Sequence, residues 1–188
     1  PCSATVQGDS LTVDIAPADA GYKGVISADD AAIEGVFSQM GQSLPLTFHR
    51  VVKVTEAPKP YKETEVMVDA GGGVQLAGTF SLPQGDGPFP AVVLLTGSGA
   101  QDRDETIGDY KPFAQIADSL ARHGIAVLRC DDRGVGGSSI ASGYETTADF
   151  AADALAMLRA LKSYSGVDST RVGYIGHSEG GLIAILNA

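Results

Sequence analysis

Apolar and polar residues alternate with period two from residue 1 to about residue 54. Leu11, Val13 and Ile15 stand against Thr12 and Asp14, and Leu44, Leu46 and Phe48 stand against Pro45, Thr47 and His49. Successive side chains of a strand point to opposite faces, so this rhythm predicts β-strands. Val25-Ile26 and Val36-Phe37 flank the turn-like Ala28-Asp29-Asp30-Ala31, and the whole stretch reads as a β-meander with little helix. The run Val51-Val52-Lys53-Val54 leads into Glu56-Ala57-Pro58-Lys59-Pro60, where two prolines among charges predict a linker over 56–62.

After residue 62 the pattern changes to strands alternating with helices, which predicts an α/β domain with a largely parallel sheet. Glu63–Val68 and Val74–Leu82, joined by Gly71-Gly72-Gly73, read as a hairpin, and Ala91–Thr96 reads as a buried strand. A helix is expected from Pro112, with Phe113, Ile116, Ala117 and Leu120 on its buried face and Gly124 at its C-terminal cap. Ile125–Cys130 is the next buried strand, and Thr147–Lys162 the next helix, burying Phe150, Leu155, Leu158 and Leu161. Arg171–Ile175 is a further strand, followed at once by the helical run Gly181–Leu186. The chain thus divides into a β-rich domain over 1–55, expected to be incomplete, a linker over 56–62 and an α/β domain over 63–188.

Composition narrows the partners. Thirteen Lys and Arg against 23 Asp and Glu give a net charge of −10, which repels phosphate backbones and anionic lipid, so no nucleic-acid partner is expected. No run approaches the roughly 18 apolar residues of a membrane span, and the first residues lack the charged and apolar regions of a signal peptide. The two cysteines, Cys2 and Cys130, draw neither a disulfide framework nor a metal-ligand spacing. No His/Asp/Glu cluster suggests a metal, and no cofactor is expected.

The chemistry concentrates in Gly176-His177-Ser178-Glu179-Gly180, between the last strand and the last helix. A G-x-S-x-G at a strand-to-helix junction is the pattern of a nucleophile elbow, in which the turn is so sharp that the positions two before and two after the serine must be small. The motif alone is weak, since this glycine and serine content yields it by chance roughly 0.24 times per chain. A helix-capping serine would explain Ser178 equally well without its strand and glycine context. An acyl-transfer serine also needs two backbone N–H donors for the developing oxyanion. Glu179, just after the serine, supplies the first. Ser98 N–H, in the loop Thr96-Gly97-Ser98-Gly99-Ala100-Gln101 after a buried strand, is the candidate second, with Gly97 and Gly99 shaping the loop as Gly176 and Gly180 shape the elbow. A plain glycine turn remains open for that loop. A phosphate cradle is disfavoured, because Asp102, Asp104 and Glu105 follow with only Arg103 to offset them.

In Arg129-Cys130-Asp131-Asp132-Arg133-Gly134-Val135-Gly136-Gly137-Ser138, Arg133 is expected to pair with Asp131 or Asp132. This loop either rims a site or forms a salt-bridged turn, and the turn is the favoured reading. His177 is expected to belong to the elbow rather than act as a base, and neither His49 nor His123 is assigned a catalytic role.

Leu94 through Glu105, Val127 through Ser138 and Ile175 through Gly181 together resemble the bacterial α/β-hydrolase esterases that carry an N-terminal β-rich domain. Tyr22–Ile26, Ile33–Phe37 and Leu44–Leu46 are similar to the end of that family's N-terminal domain. The resemblance implies hydrolysis of small carboxylic esters, with Ser178 as nucleophile and the N–H groups of Ser98 and Glu179 as the oxyanion hole. It also implies export to the periplasm or beyond the cell, the export signal being lost here. Amidase or peptidase activity on the same machinery is the near alternative, and a non-catalytic truncated or binding form the distant one. In this fold the acid and the histidine follow the serine in the order Ser…Asp/Glu…His. Ala188 lies ten residues after Ser178, so residues 1–188 are expected to be the N-terminal part of a longer polypeptide. Its C-terminal remainder would supply three more strands, the acid and the histidine.

Overall fold

The computed structural model describes residues 2–51, 58–140 and 143–188. The chain divides into two compact units, Pro1–Thr55 and Glu56–Ala188.

The first unit is an antiparallel meander of β1 (Cys2–Gln7), β2 (Ser10–Ile15), β3 (Ala20–Ile26), β4 (Ala32–Gln39) and β5 (Gln42–His49), paired in that order. Met40 and Gly41 form a two-residue hairpin loop with φ of +49° and +76°, a turn whose twist matches that of the strands it joins. The alternation places Leu11, Val13, Tyr22, Phe37, Leu44 and Phe48 in register on one face. Tyr22 lies across Gly24 and Gly35, where any Cβ would overlap its ring, and its Oη is 2.9 Å from the Ile33 carbonyl and 3.0 Å from that of Leu46.

In the second unit the sheet order is β10-β8-β9-β7-β6, built from β6 (Tyr61–Gly71), β7 (Val74–Pro83), β8 (Phe89–Leu95), β9 (Ala126–Cys130) and β10 (Val167–Gly176). β6 and β7 form the antiparallel hairpin at one edge, while β9, β8 and β10 run parallel. α1 (Pro112–Arg122) packs on β7 and β9; α2 (Thr147–Ser163) and α3 (Glu179–Leu186) pack together with β8 and β10. Alternation within the buried runs feeds two cores. Leu94 and Val127 meet Phe113 and Ala117 of α1, whereas Val93, Leu95, Ala126 and Leu128 meet Ala154, Met157 and Leu161 of α2 and Ile183 of α3.

Three expectations need correction. The linker expected over 56–62 falls partly on residues 52–57, outside the described residues, and β6 already begins within it. Tyr61 is buried, and its hydroxyl donates to Asp118 Oδ1 of α1 at 2.6 Å, so an anchored aromatic overrides the neighbouring proline and charge cues. In α1 the buried positions are Phe113, Ala117 and Ala121, with Leu120 half-buried, and Ile116 turns outward at 37% exposure. In α2 the stripe runs through Ala151, Ala154, Met157 and Leu161 and admits the charged Asp153, while Leu155, Phe150 and Leu158 are half-buried at its margins. No helix among the described residues is long and apolar enough to cross a membrane.

Candidate active site

The register aligns Gly176 with Leu95 and Leu94 with Arg129, so β8, β9 and β10 end side by side. The loops that leave these carboxyl ends meet in one place, where open α/β sheets bind their ligands.

The turn from β10 to α3 is as tight as its glycines require. A Cβ on Gly176 would overlap the Gly180 carbonyl, and a Cβ on Gly180 would overlap the Leu95 and Thr96 carbonyl oxygens. His177 N–H donates to Leu95 O at 3.0 Å, and Gly180 N–H donates to His177 O at 2.8 Å. Between these fixed points Ser178 takes φ +51° and ψ −116°, a backbone conformation that side chains rarely adopt. Ser178 is exposed and occupies the N-cap position of α3, yet its hydroxyl makes no capping hydrogen bond. The capping explanation for this serine therefore lacks its bond.

The loop after β8 lies against the elbow. A Cβ on Gly97 would stand 3.1 Å from both Glu105 Oε1 and His177 Nδ1 and 3.4 Å from Ser178 Cβ. Gly97 N–H donates to Glu105 Oε1 at 2.8 Å. Ser98 N–H and Glu179 N–H have no acceptor among the described residues. Gly99 takes φ +93° with open space where a Cβ would be, so its need for glycine is conformational. Asp132 braces the same loop from below, accepting from Thr96 Oγ1 at 3.2 Å and from Gln101 N–H at 2.9 Å. Burial pushes the Asp132 carboxyl up to about 6, opposed by those two hydrogen bonds and aided by the neighbouring charges of Asp153 and Asp131.

The remaining charges of the two loops hold geometry. Asp131 accepts from Arg103 Nε at 3.0 Å and Nη2 at 2.9 Å, and Gly136, at φ +53°, leaves room for that carboxylate. Burial would raise the Asp131 carboxyl, but the Arg103 hydrogen bonds outweigh it and hold the group below the usual carboxylate range. Arg133 does not pair with Asp131 or Asp132, contrary to the sequence expectation. It grips Asp153 of α2 with Nε at 2.6 Å and Nη2 at 2.7 Å, because Arg103 has already taken Asp131 and Asp132 faces the loop after β8. Nor is Arg103 alone in offsetting the acidic run, since Arg129 Nε meets Asp104 at 2.9 Å and Lys111 Nζ meets it at 3.3 Å. Thr147 Oγ1 donates to Glu179 Oε1 at 2.6 Å, which ties that side chain to the start of α2.

A cavity of about 40 Å³, room for a single water, lies between this loop and α2–α3, with Thr96, Asp132, Phe150, Asp153, Met157 and Ile183 in its wall. Among the described residues no three His, Cys, Asp or Glu side chains converge as metal ligands. His177 points its Nδ1 at Glu105 Oε1, 2.8 Å away, and His123 Nδ1 lies 2.7 Å from the Ser119 carbonyl. Glu105 carried no signal in the sequence: its partners are 8 and 72 residues away, and its left-handed backbone belongs to no residue-type preference.

Residues 104–188 match the family described as serine aminopeptidase, S33. Esterase EstD of Thermotoga maritima is 37% identical over 126 residues, covering 67% of this chain and 29% of EstD. Esterase FrsA of Escherichia coli is 33% identical over 114 residues, covering 61% of this chain and 25% of FrsA. The structure of the α/β hydrolase GrgF from Penicillium sp. sh18 superimposes with a TM-score of 0.54 at 21% identity, covering 68% of this chain and 41% of GrgF, and it shares the fold. The chain thus spans less than a third of the length of either esterase.

Proposed function

We propose, from the chain's relation to bacterial serine esterases of α/β-hydrolase type, that the full-length protein hydrolyses small carboxylic esters through an acyl-enzyme on Ser178. The observation that carries this reading is Ser178 itself, held at φ +51° on a turn that two glycines make sterically obligatory, with its hydroxyl exposed and unused as a cap. Strain of this kind persists only where the surroundings over-determine it, and it clusters at reactive residues.

In the proposed reaction Ser178 Oγ attacks the ester carbonyl carbon while a general base takes its proton. The carbonyl oxygen becomes an oxyanion and turns towards the N–H groups of Ser98 and Glu179, neither of which has an acceptor among the described residues. Collapse breaks the bond to the alcohol oxygen, which leaves with the proton. Water then attacks the acyl-serine, the same base accepts its proton, and the carboxylic acid departs as Ser178 Oγ is reprotonated. Glu105 holds His177 by Nδ1 as a triad carboxylate would, but among the described residues no hydrogen bond joins the His177 ring to Ser178 Oγ, so His177 is not assigned as the base. We assign the base and its orienting acid to residues that follow Ser178 in the full-length protein, in the order this fold uses.

The S33 match over residues 104–188 supports a second reading, cleavage of an N-terminal aminoacyl amide by the same serine. Purified full-length protein assayed on p-nitrophenyl acetate and on aminoacyl p-nitroanilides separates the two. The ester reading expects turnover of the acetate and little of the anilides, with Ser178→Ala lowering it on the order of 10⁴–10⁶-fold. Preference for the anilides would favour the peptidase. Turnover by Ser178→Ala above about a tenth of the parent would overturn the nucleophile in both.

A further inference from the structure

The Glu105 side chain crosses from one half of the candidate site to the other. It is 6% exposed, and its oxygen Oε1 accepts both from Gly97 N–H at 2.8 Å and from His177 Nδ1 at 2.8 Å. A carboxylate only accepts, so the imidazole proton that faces it sits on Nδ1. One oxygen therefore joins the loop after β8 to the residue that precedes Ser178. Bonds to a charged acceptor are about twice as strong as neutral ones.

Glu105 is held in this position from its own side as well. Its backbone stands at φ +51°, in the left-handed region that side chains rarely adopt. Glu105 N–H donates to Asp102 O at 2.9 Å, Asp102 Oδ1 accepts from Asp104 N–H and Thr106 N–H, and Phe113 N–H ties Asp104 O to the start of α1. A buried residue in a strained conformation, on a loop fastened by its own hydrogen bonds, has little freedom to retract its carboxylate.

The site gains two things from this. Gly97 N–H is removed from the donors that could face a substrate, and Ser98 N–H is the next along the loop and has no acceptor among the described residues. The spacing between that loop and the elbow is also narrow, since a Cβ added at Gly97 would already stand 3.4 Å from Ser178 Cβ. Stabilising an oxyanion demands donors held within a fraction of an ångström, and misplacement by about 1 Å costs on the order of 10²-fold in rate.

We propose that Glu105 is the positioning residue of the oxyanion hole, locking the loop of Ser98 to the elbow of Ser178 through Gly97 N–H and His177 Nδ1. The proposal rests on the Ser178 reading and extends it to a residue that touches neither substrate nor nucleophile.

The test compares Glu105→Ala and Glu105→Gln with the parent in the full-length protein, using p-nitrophenyl acetate kinetics and hydrogen exchange of the Gly97 amide in ¹⁵N-labelled protein. Glu105→Ala should lower kcat on the order of 10–100-fold with KM changed less than about threefold, and should lose Gly97 protection. Glu105→Gln keeps an acceptor for Gly97 N–H, so it should retain that protection and recover kcat to within about fivefold of the parent. A kcat for Glu105→Ala within about twofold of the parent, a loss confined to KM, or an unprotected Gly97 amide in the parent would each overturn the clamp. Ser178→Ala, run alongside, separates the two ideas. Full activity in that variant with Gly97 still protected would refute the nucleophile, and the oxyanion role of Glu105 with it, while leaving the hydrogen bond itself established.

Discussion

Gly180 lies so close to the end of β8 that a Cβ on it would overlap the Leu95 carbonyl oxygen. The obstruction is backbone of β8, which is paired with a strand on each side and cannot step aside as a flexible side chain could. Gly180→Ala is therefore expected to destabilise the fold by about 1–3 kcal/mol, towards the upper end of what overpacking costs. Urea unfolding of the variant measures this. A loss below about 0.5 kcal/mol would show that the elbow can relax.

Ser178 sits in a conformation that glycine adopts freely. Ser178→Gly should relieve strain of about 1–3 kcal/mol, less about 0.5–1 kcal/mol for the freer unfolded chain, and so stabilise the protein by about 1 kcal/mol while abolishing ester turnover. Thermal unfolding of Ser178→Gly against Ser178→Ala makes the comparison. Equal stability of the two variants would mean that the turn is not strained.

Ser98 contributes a backbone N–H in this account, and its hydroxyl is dispensable. Ser98→Ala should keep turnover within about threefold, whereas Ser98→Pro removes the N–H and should cost on the order of 10²–10³ in kcat. Equal harm from both substitutions, with folding verified by circular dichroism, would move the role to the hydroxyl or to packing of the loop.

Asp132 makes stability depend on pH in an unusual direction. Burial raises its carboxyl from 3.8 to about 6, so the folded protein binds this proton more tightly than the unfolded chain does. The resulting stabilisation is fully present below about pH 3.8 and is lost as pH rises through about 6. Asp132→Asn, which is neutral throughout and still accepts hydrogen bonds, should melt about 2–4 °C above the parent at pH 8, with the gap closing between pH 6 and pH 4. A gap of the same size at both ends of that range would exclude the Asp132 proton as its cause.

The parts of this molecule legible in the sequence are those set by local sterics and periodicity. Alternation placed the strands, Pro112 and Gly124 bracketed α1, and Gly176 and Gly180 marked a turn whose tightness has one steric cause. What the sequence hid is the choice among chemically equal partners far apart in the chain. Arg133 had two acidic neighbours two and one positions away and chose Asp153, 20 residues on, because Asp131 was taken by Arg103, 28 residues before it. The pairing of Glu105 with His177 spans 72 residues and became visible only when β8 and β10 were laid side by side. Ile116 and Leu155 depart from the expected helix faces for a related reason: small alanines, which carry little apolar signal, take the closest positions against the sheet.

The most direct test of the central claim is to treat the full-length protein with a fluorophosphonate and locate the adduct by mass spectrometry, following residual ester hydrolysis in the same sample. A single adduct on the peptide that begins at Val172, carried by Ser178, absent from Ser178→Ala and formed in step with the loss of hydrolysis, is the expected result. An adduct on any other residue, or hydrolysis that survives stoichiometric modification of Ser178, would contradict the account.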